Sequence, residues 1–206
     1  MKYLLIVCYC LITIITKAQT AVDLGLSVRW ADCNLGAEKP EEYGGLYGWA
    51  DPTGECTEIN VYDEDWNWLS DSLYGGFMPT KAICGTQLDI VRAKWGKPWR
   101  LPTRDEMEEL VTRCKKEKAI VNGVKGLRFT GPSGKSIFLP AAGSRLATDI
   151  LHQGKTGGYW TGSIGKKYSA NKDSRVWYLF FSTRGYTDFS EYGIRYDGKS
   201  IRPVRK

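Results

Sequence analysis

One histidine in 206 residues is the scarcity that excludes most. A histidine cluster for iron or zinc cannot form, and a nucleophilic triad has only His152 as its base. That residue lies in Asp149-Ile150-Leu151-His152-Gln153-Gly154, a predicted loop, where a solvated or locally bonded imidazole is the expectation. The cysteines form no C-x-x-C pair, which argues against zinc binding and dithiol exchange, and no Asn-x-Ser/Thr sequon occurs. Charge of one sign is nowhere concentrated, because 29 Lys and Arg interleave with 23 Asp and Glu. Without a cationic stripe to neutralise many phosphates, nucleic acid is a poor partner. Weak attraction to anionic glycans or cell surfaces stays open.

Long apolar runs are equally scarce. The one present spans Tyr3 to Thr16, after the basic start Met1-Lys2 and before the small residues of Thr16-Lys17-Ala18. It is shorter than the roughly 20 residues that cross a bilayer, so it reads as a signal peptide over 1–18 with cleavage after Ala18. Neither Cys8 nor Cys10 is placed to carry a lipid. The mature chain then has 188 residues, no membrane span, and a formal charge that falls from +6 to +4 as Lys2 and Lys17 leave. It suits one domain over 19–206, exported to the periplasm, the cell surface or the medium.

What the chain does have is tryptophan, tyrosine and glycine, at 8, 12 and 23 residues. The order Val22 to Val28, continued by Arg29-Trp30-Ala31, alternates as a half-buried strand, and Tyr43 to Trp49 suggests a second among glycines. Between Asp51 and Thr80 periodicity is lost, which predicts a long surface excursion. A helix is predicted over Thr86 to Trp95 from the spacing of Leu88, Val91 and Trp95. A second begins at Thr103, which with Glu106 can form a capping box. Met107, Leu110, Val111 and Cys114 supply its apolar stripe, and Lys115, Lys116 and Lys118 suit its C-terminal end. Gly126 to Thr130 and Lys135 to Leu139 flank Gly131-Pro132-Ser133-Gly134 as a hairpin. Tyr159-Trp160, Val176 to Phe181 and Ile201 to Val204 read as further strands. The predicted class is α+β, with two helices in a twisted, mainly antiparallel scaffold and long loops.

Four cysteines follow the leader, and in an oxidising compartment an even number reads first as disulfides. Of three pairings, Cys33 with Cys114 and Cys56 with Cys84 is the one favoured here, with one reduced pair as the open alternative. Two segments imitate the end of a phosphate loop, Ser133-Gly134-Lys135-Ser136 and Gly154-Lys155-Thr156. Both lack the earlier glycine, since Phe129 and Asp149 stand in its place, so they are expected to be turns.

Seven segments in order carry a resemblance. They are Val22 to Ala31, Cys33-Asn34-Leu35-Gly36-Ala37, Glu42-Tyr43-Gly44, Trp95-Gly96, Trp99-Arg100-Leu101-Pro102-Thr103, Ser136 to Gly143 and Arg202-Pro203-Val204. Together they resemble the Fibrobacter succinogenes major paralogous domain, over almost the whole mature chain. The resemblance implies a secreted or surface protein of Bacteroidetes with a C-type-lectin-like fold, whose N- and C-terminal strands pair and whose long loops display a binding surface. Arg100-Leu101-Pro102-Thr103 before a Glu-rich helix is also similar to formylglycine-generating enzymes. Those hold copper with C-terminal cysteines, and here no cysteine follows Cys114. Asp71-Ser72-Leu73 fits the short O-glycosylation pattern of exported Bacteroidetes proteins.

Asp63, Glu64, Asp65 and Asp71 offer oxygens to calcium, but the spacing matches no EF-hand and the sugar-binding calcium signatures of lectins are missing. No cofactor is expected, with calcium left open. The candidate ligand-binding residues are aromatic instead. Trp66 and Trp68, one residue apart in the polar excursion, would face the same way on an extended segment, and paired indoles stack on sugars or anchor interfaces. Tyr186, Tyr192, Arg195 and Tyr196, in the Tyr-, Ser- and Gly-rich stretch 185–196, form the second candidate surface. Trp30, Trp99, Trp160 and Trp177 are expected in the core. The expected function is non-catalytic recognition of a glycan or surface protein, with a structural subunit of a surface assembly as the alternative and an oxidase of the formylglycine-generating kind behind it.

Overall fold

A computed structural model describes residues 19–55, 79, 81–167, 174–193, 195 and 197–206, without the side chains of 166, 167, 174, 188 and 190–192. The expected signal peptide 1–18, Cys56, the acidic residues 63–65 and 71, Trp66, Trp68, the 71–73 pattern and Tyr196 lie outside the described residues. Among those described, the chain is a mixed fold of open antiparallel sheets with two helices.

The first predicted strand is two. Gly25, at φ 75°, turns the chain, and the Asp23 carboxylate accepts its amide at 2.9 Å, a side-chain-closed turn. The result is β1 (Ala21–Val22) antiparallel to β2 (Arg29–Ala31), with the C-terminal β11 (Val204–Arg205) on the other side of β2. Tyr47 makes a single bridge to Lys199 where a second strand was expected.

Helix α1 (Ile90–Trp95) starts four residues later than the apolar spacing predicts. The Thr86 hydroxyl instead donates to the Ile83 carbonyl and accepts the Leu88 amide, while the Asp89 carboxylate caps Val91 and Arg92. The predicted capping box does open α2 (Arg104–Arg113), and Met107 and Leu110 are buried. Cys114 turns extended, so Lys115, Lys116 and Lys118 belong to a strand and not to the end of a helix.

That strand, β3 (Lys115–Val121), forms a sheet with the predicted hairpin of β4 (Val124–Thr130) and β5 (Ser136–Pro140). A short hairpin follows, β6 (Ser144–Leu146) and β7 (Asp149–Leu151). The largest ladder joins β8 (Thr156–Lys167), β9 (Ser174–Ser182) and β10 (Thr187–Gly193). Its two faces meet two apolar clusters. Tyr159, Leu179 and Phe181 pack with Trp30, Met107, Leu110 and Phe129, whereas Trp160 and Val176 pack with Trp49, Val91, Trp99 and Ile201.

Among the described residues no disulfide is formed where Cys33–Cys114 and Cys56–Cys84 were predicted, and Cys56 lies outside them. Cys84 and Cys114 are free thiols. Cys114 is packed in the first cluster, Cys33 Sγ donates to the Ala37 carbonyl within its own turn at 3.3 Å, and Cys84 Sγ donates to the Pro102 carbonyl at 3.5 Å. Burial pushes the Cys84 thiol up to about 12 and the Cys114 thiol upward.

A seam joins the two ends of the chain. Arg202 is fully buried and donates Nε to Asn34 Oδ1 at 3.0 Å, Nη1 to the Ala31 and Asp32 carbonyls at 3.1 and 2.8 Å, and Nη2 to the Phe138 carbonyl at 2.7 Å. Tyr159 donates its hydroxyl to the Pro140 carbonyl at 2.7 Å and accepts from Asn34 Nδ2 at 3.2 Å. Four of the seven segments that carry the family resemblance, those with Ala31, Asn34, Phe138 and Arg202, thus meet in this seam, which is framework.

Candidate functional site

Strand β9 alternates its side chains between the two faces of its sheet. Leu179 and Phe181 point to the first cluster; Tyr178 and Phe180 point the other way and are only half-buried. The turn from β9 to β10 returns Tyr186 onto this second face, with its ring 6.1 Å from that of Phe180. At 59% exposure, Tyr186 is the most open aromatic among the described residues.

Opposite Phe180 stands Gly158, where a Cβ would come within 3.3 Å of Lys199 Cδ. The missing side chain lets the Lys199 stem lie across the sheet. Its ammonium ends 4.9 Å from the ring centroids of both Trp160 and Tyr178 and donates to Asp197 Oδ2 at 2.9 Å. Burial lowers the Lys199 pKa from its ordinary value, and the Asp197 charge works against that shift. The backbone holds this arrangement rigidly: Lys199 exchanges two hydrogen bonds with Tyr47, and Ser200 lies between Gly158 and Trp160. One residue earlier, Gly198 bridges to Arg145 of β6, whose hairpin exposes Leu146, Ile150 and Leu151.

A concavity of about 600 Å³ lies elsewhere, lined by Pro79, Lys81, Ala82, Ile83, Thr86, Gln87 and Leu88. Its edge is fixed from below. Arg195 Nη1 donates to the Pro79 carbonyl at 3.2 Å, with the guanidinium 4.6 Å from the Trp49 ring centroid.

Of the predicted ligand-binding residues, the structure displays Tyr186 on the surface and puts Arg195 inside, at 5% exposure. Tyr192 lies on β10 with its side chain undescribed, and Trp66, Trp68 and Tyr196 lie outside the described residues. Trp30, Trp99 and Trp160 are buried as expected, and Trp177 is half-buried under the Arg104 guanidinium at 4.5 Å. His152 is exposed in its turn at φ 58°. Sequence reading missed Tyr178, Phe180, Asp197 and Lys199. The first two could have been found by dividing Val176 to Phe181 into its alternate faces, whereas nothing local marks the Lys199–Asp197 pair.

No group of three or more His, Cys, Asp or Glu among the described residues is placed to hold a metal, and no described helix is long and apolar enough to cross a membrane. No protein-family model, curated protein or solved structure matches the chain. The site is therefore read from its own chemistry: a shallow aromatic platform, with an ammonium and a carboxylate held at fixed positions beside it.

Proposed function

We propose that the chain is an exported, non-catalytic binding module of C-type-lectin-like fold that recognises a glycan outside the cytoplasm. The observation that carries this reading is the common face of Tyr178, Phe180 and Tyr186, partly open to solvent beside the Lys199–Asp197 pair. Flat rings stack on the apolar faces of sugars, and fixed polar groups beside them accept or donate to hydroxyls. The lectin-like part is supported by the pairing of β2 with the C-terminal β11 and by the meeting of four of the seven family-resembling segments at the Arg202 seam. The non-catalytic part is supported by the high pKa of the Cys84 thiol, which keeps it a poor nucleophile at neutral pH.

A glycan array probed with the full chain, with and without EDTA, tests the reading. Saturable binding that Tyr186→Ala weakens at least roughly tenfold, with unchanged circular dichroism, is expected for a stacking contact. Silence toward every glycan from a folded protein would overturn it. The exposed Leu146, Ile150 and Leu151 favour a second reading, a structural subunit that meets other copies through the β6–β7 hairpin. Sedimentation that shows association lost in Ile150→Ser would select it.

A further inference from the structure

A circuit of hydrogen bonds, chain neighbours and one ladder pair links the backbone segments that carry several cations. The Lys125 carbonyl accepts the Ala141 amide at 2.8 Å, the Ala141 carbonyl accepts the Gly154 amide at 2.7 Å, and the Lys155 carbonyl accepts the Thr183 amide at 2.9 Å. Next to Thr183, the Arg184 carbonyl accepts the Lys118 ammonium at 3.0 Å. Lys118 stands on β3 two residues from Ile120, whose partner across the ladder is Lys125, and the circuit is complete.

Lys118, Lys125, Lys155 and Arg184 are all exposed around this circuit. Apolar surface is interleaved with them: Ile120 is 66% exposed, and Tyr186 follows Arg184 by two residues. Lys115 and Glu117 pair with each other on the opposite face of β3, so their charges do not enter the balance here. The carboxylate that reaches the tip of the β3–β4 hairpin is Glu41, which accepts from Asn122 Nδ2 at 2.7 Å. Among the described side chains, the circuit therefore carries an excess of positive charge on a chain whose charges otherwise alternate.

Four cations held apart by separate backbone segments do not converge on one compact anion. They match charge repeated along a polymer, and the exposed tyrosine two residues from Arg184 offers a face for a sugar ring. We infer that this surface binds a polyanionic polysaccharide, with sulfate or carboxylate groups on successive sugars pairing with Lys118, Lys125, Lys155 and Arg184 while Tyr186 stacks on a sugar ring. The inference rests on the glycan-binding reading above and names the class of glycan.

The test compares immobilised heparin with neutral dextran as ligands for the full chain, over increasing sodium chloride. Heparin is expected to bind saturably, with affinity falling roughly a hundredfold between about 50 and about 200 mM salt, as four ion pairs release their counterions. The variant Lys118→Gln/Lys155→Gln/Arg184→Gln should lose at least roughly tenfold in affinity with its urea midpoint unchanged, because the substituted side chains are on the surface. A control of equal net charge, Lys81→Gln/Lys94→Gln/Lys97→Gln, should lose less than about twofold, these cations lying outside the circuit. Equal losses in the two triple variants, or stronger binding to phosphatidylserine vesicles than to heparin, would overturn the inference. Binding of dextran but not heparin would overturn it and leave the glycan-binding reading standing. Silence toward both polysaccharides and across the array would remove both.

Discussion

Arg202 and Lys199 stand three residues apart, both withdrawn from solvent at 0% and 6% exposure, and the chain treats their charges in opposite ways. The Arg202 guanidinium is spent entirely on framework, with three backbone carbonyls and one side-chain amide around its planar fork. The Lys199 ammonium rests against two ring faces and one carboxylate that is itself 23% exposed. A guanidinium fixes many acceptors in one geometry, whereas an ammonium is a compact charge whose surroundings can rearrange. Burial alone therefore does not mark a structural charge. What marks it is whether its hydrogen bonds all run inward.

Replacing Arg202 should break this comparison with the largest effect. Arg202→Met leaves the Ala31, Asp32 and Phe138 carbonyls and Asn34 Oδ1 without their donor in a dry interior, at a cost of about 3–5 kcal/mol in urea unfolding. A loss under about 1 kcal/mol would show that the seam is not what holds the ends together. Thiol chemistry is next. With Cys84 pushed up to about 12, its thiolate fraction at neutral pH is roughly a thousandfold below that of an ordinary cysteine. Iodoacetamide should label Cys84 and Cys114 in urea without reductant and leave them untouched in the native protein. Labelling that requires reductant would restore the disulfides.

The ion pair at the head of α2 gives a smaller, pH-dependent effect. Burial alone would raise the Glu106 pKa, but the Arg100 guanidinium at 2.6 Å and the Thr103 amide at 2.8 Å outweigh it and hold the carboxyl below its usual value. The folded pKa thus lies under the unfolded one of about 4.3, so the stabilisation is fully present above that pH and fades as pH falls through the folded value. Glu106→Gln should cost about 1–2 kcal/mol at pH 7, and the cost should shrink as pH falls below the unfolded value of about 4.3 and through the folded one. A difference that does not shrink on acidification would assign the loss to packing.

Much of the framework was legible in the sequence, because it obeys local rules. The Thr103 capping box, the β4–β5 hairpin and the burial of Met107, Leu110, Trp30 and Trp160 follow from spacing and turn chemistry alone. The hairpin of β3 and β4 also carries a local signal. Asn122-Gly123 takes φ 48° and 82°, the two-residue turn that this dipeptide favours, while the run of lysines before it suited the end of a helix equally well. What stayed hidden depends on distant partners. The start of α1 is decided by Asp89, which also accepts the amides of Gly85 and Leu101, and no local pattern announces the latter. Arg195 looked like a recognition residue in its Tyr-rich stretch and is instead stacked on Trp49, over a hundred residues away in the chain. Of the candidate site, sequence supplied Tyr186; the fold supplied its neighbours.

Lys199 offers the sharpest test because the expected stability change is the smallest. Lys199→Met keeps the stem over Gly158 and the contact with Trp160 and Tyr178 while removing the charge, and the Asp197 carboxylate left behind can turn to water. Desolvation already opposes the ammonium, as its lowered pKa shows, so removal should change stability by less than about 1.5 kcal/mol in either direction. Glycan affinity should fall at the same time, since the fixed donor beside the aromatic face is gone. If the variant instead unfolds like Arg202→Met, the two buried cations serve one purpose and the platform is part of the framework. If it is stable and binds unchanged, recognition belongs to the rings alone, and the Lys199–Asp197 pair only shapes the floor on which they stand.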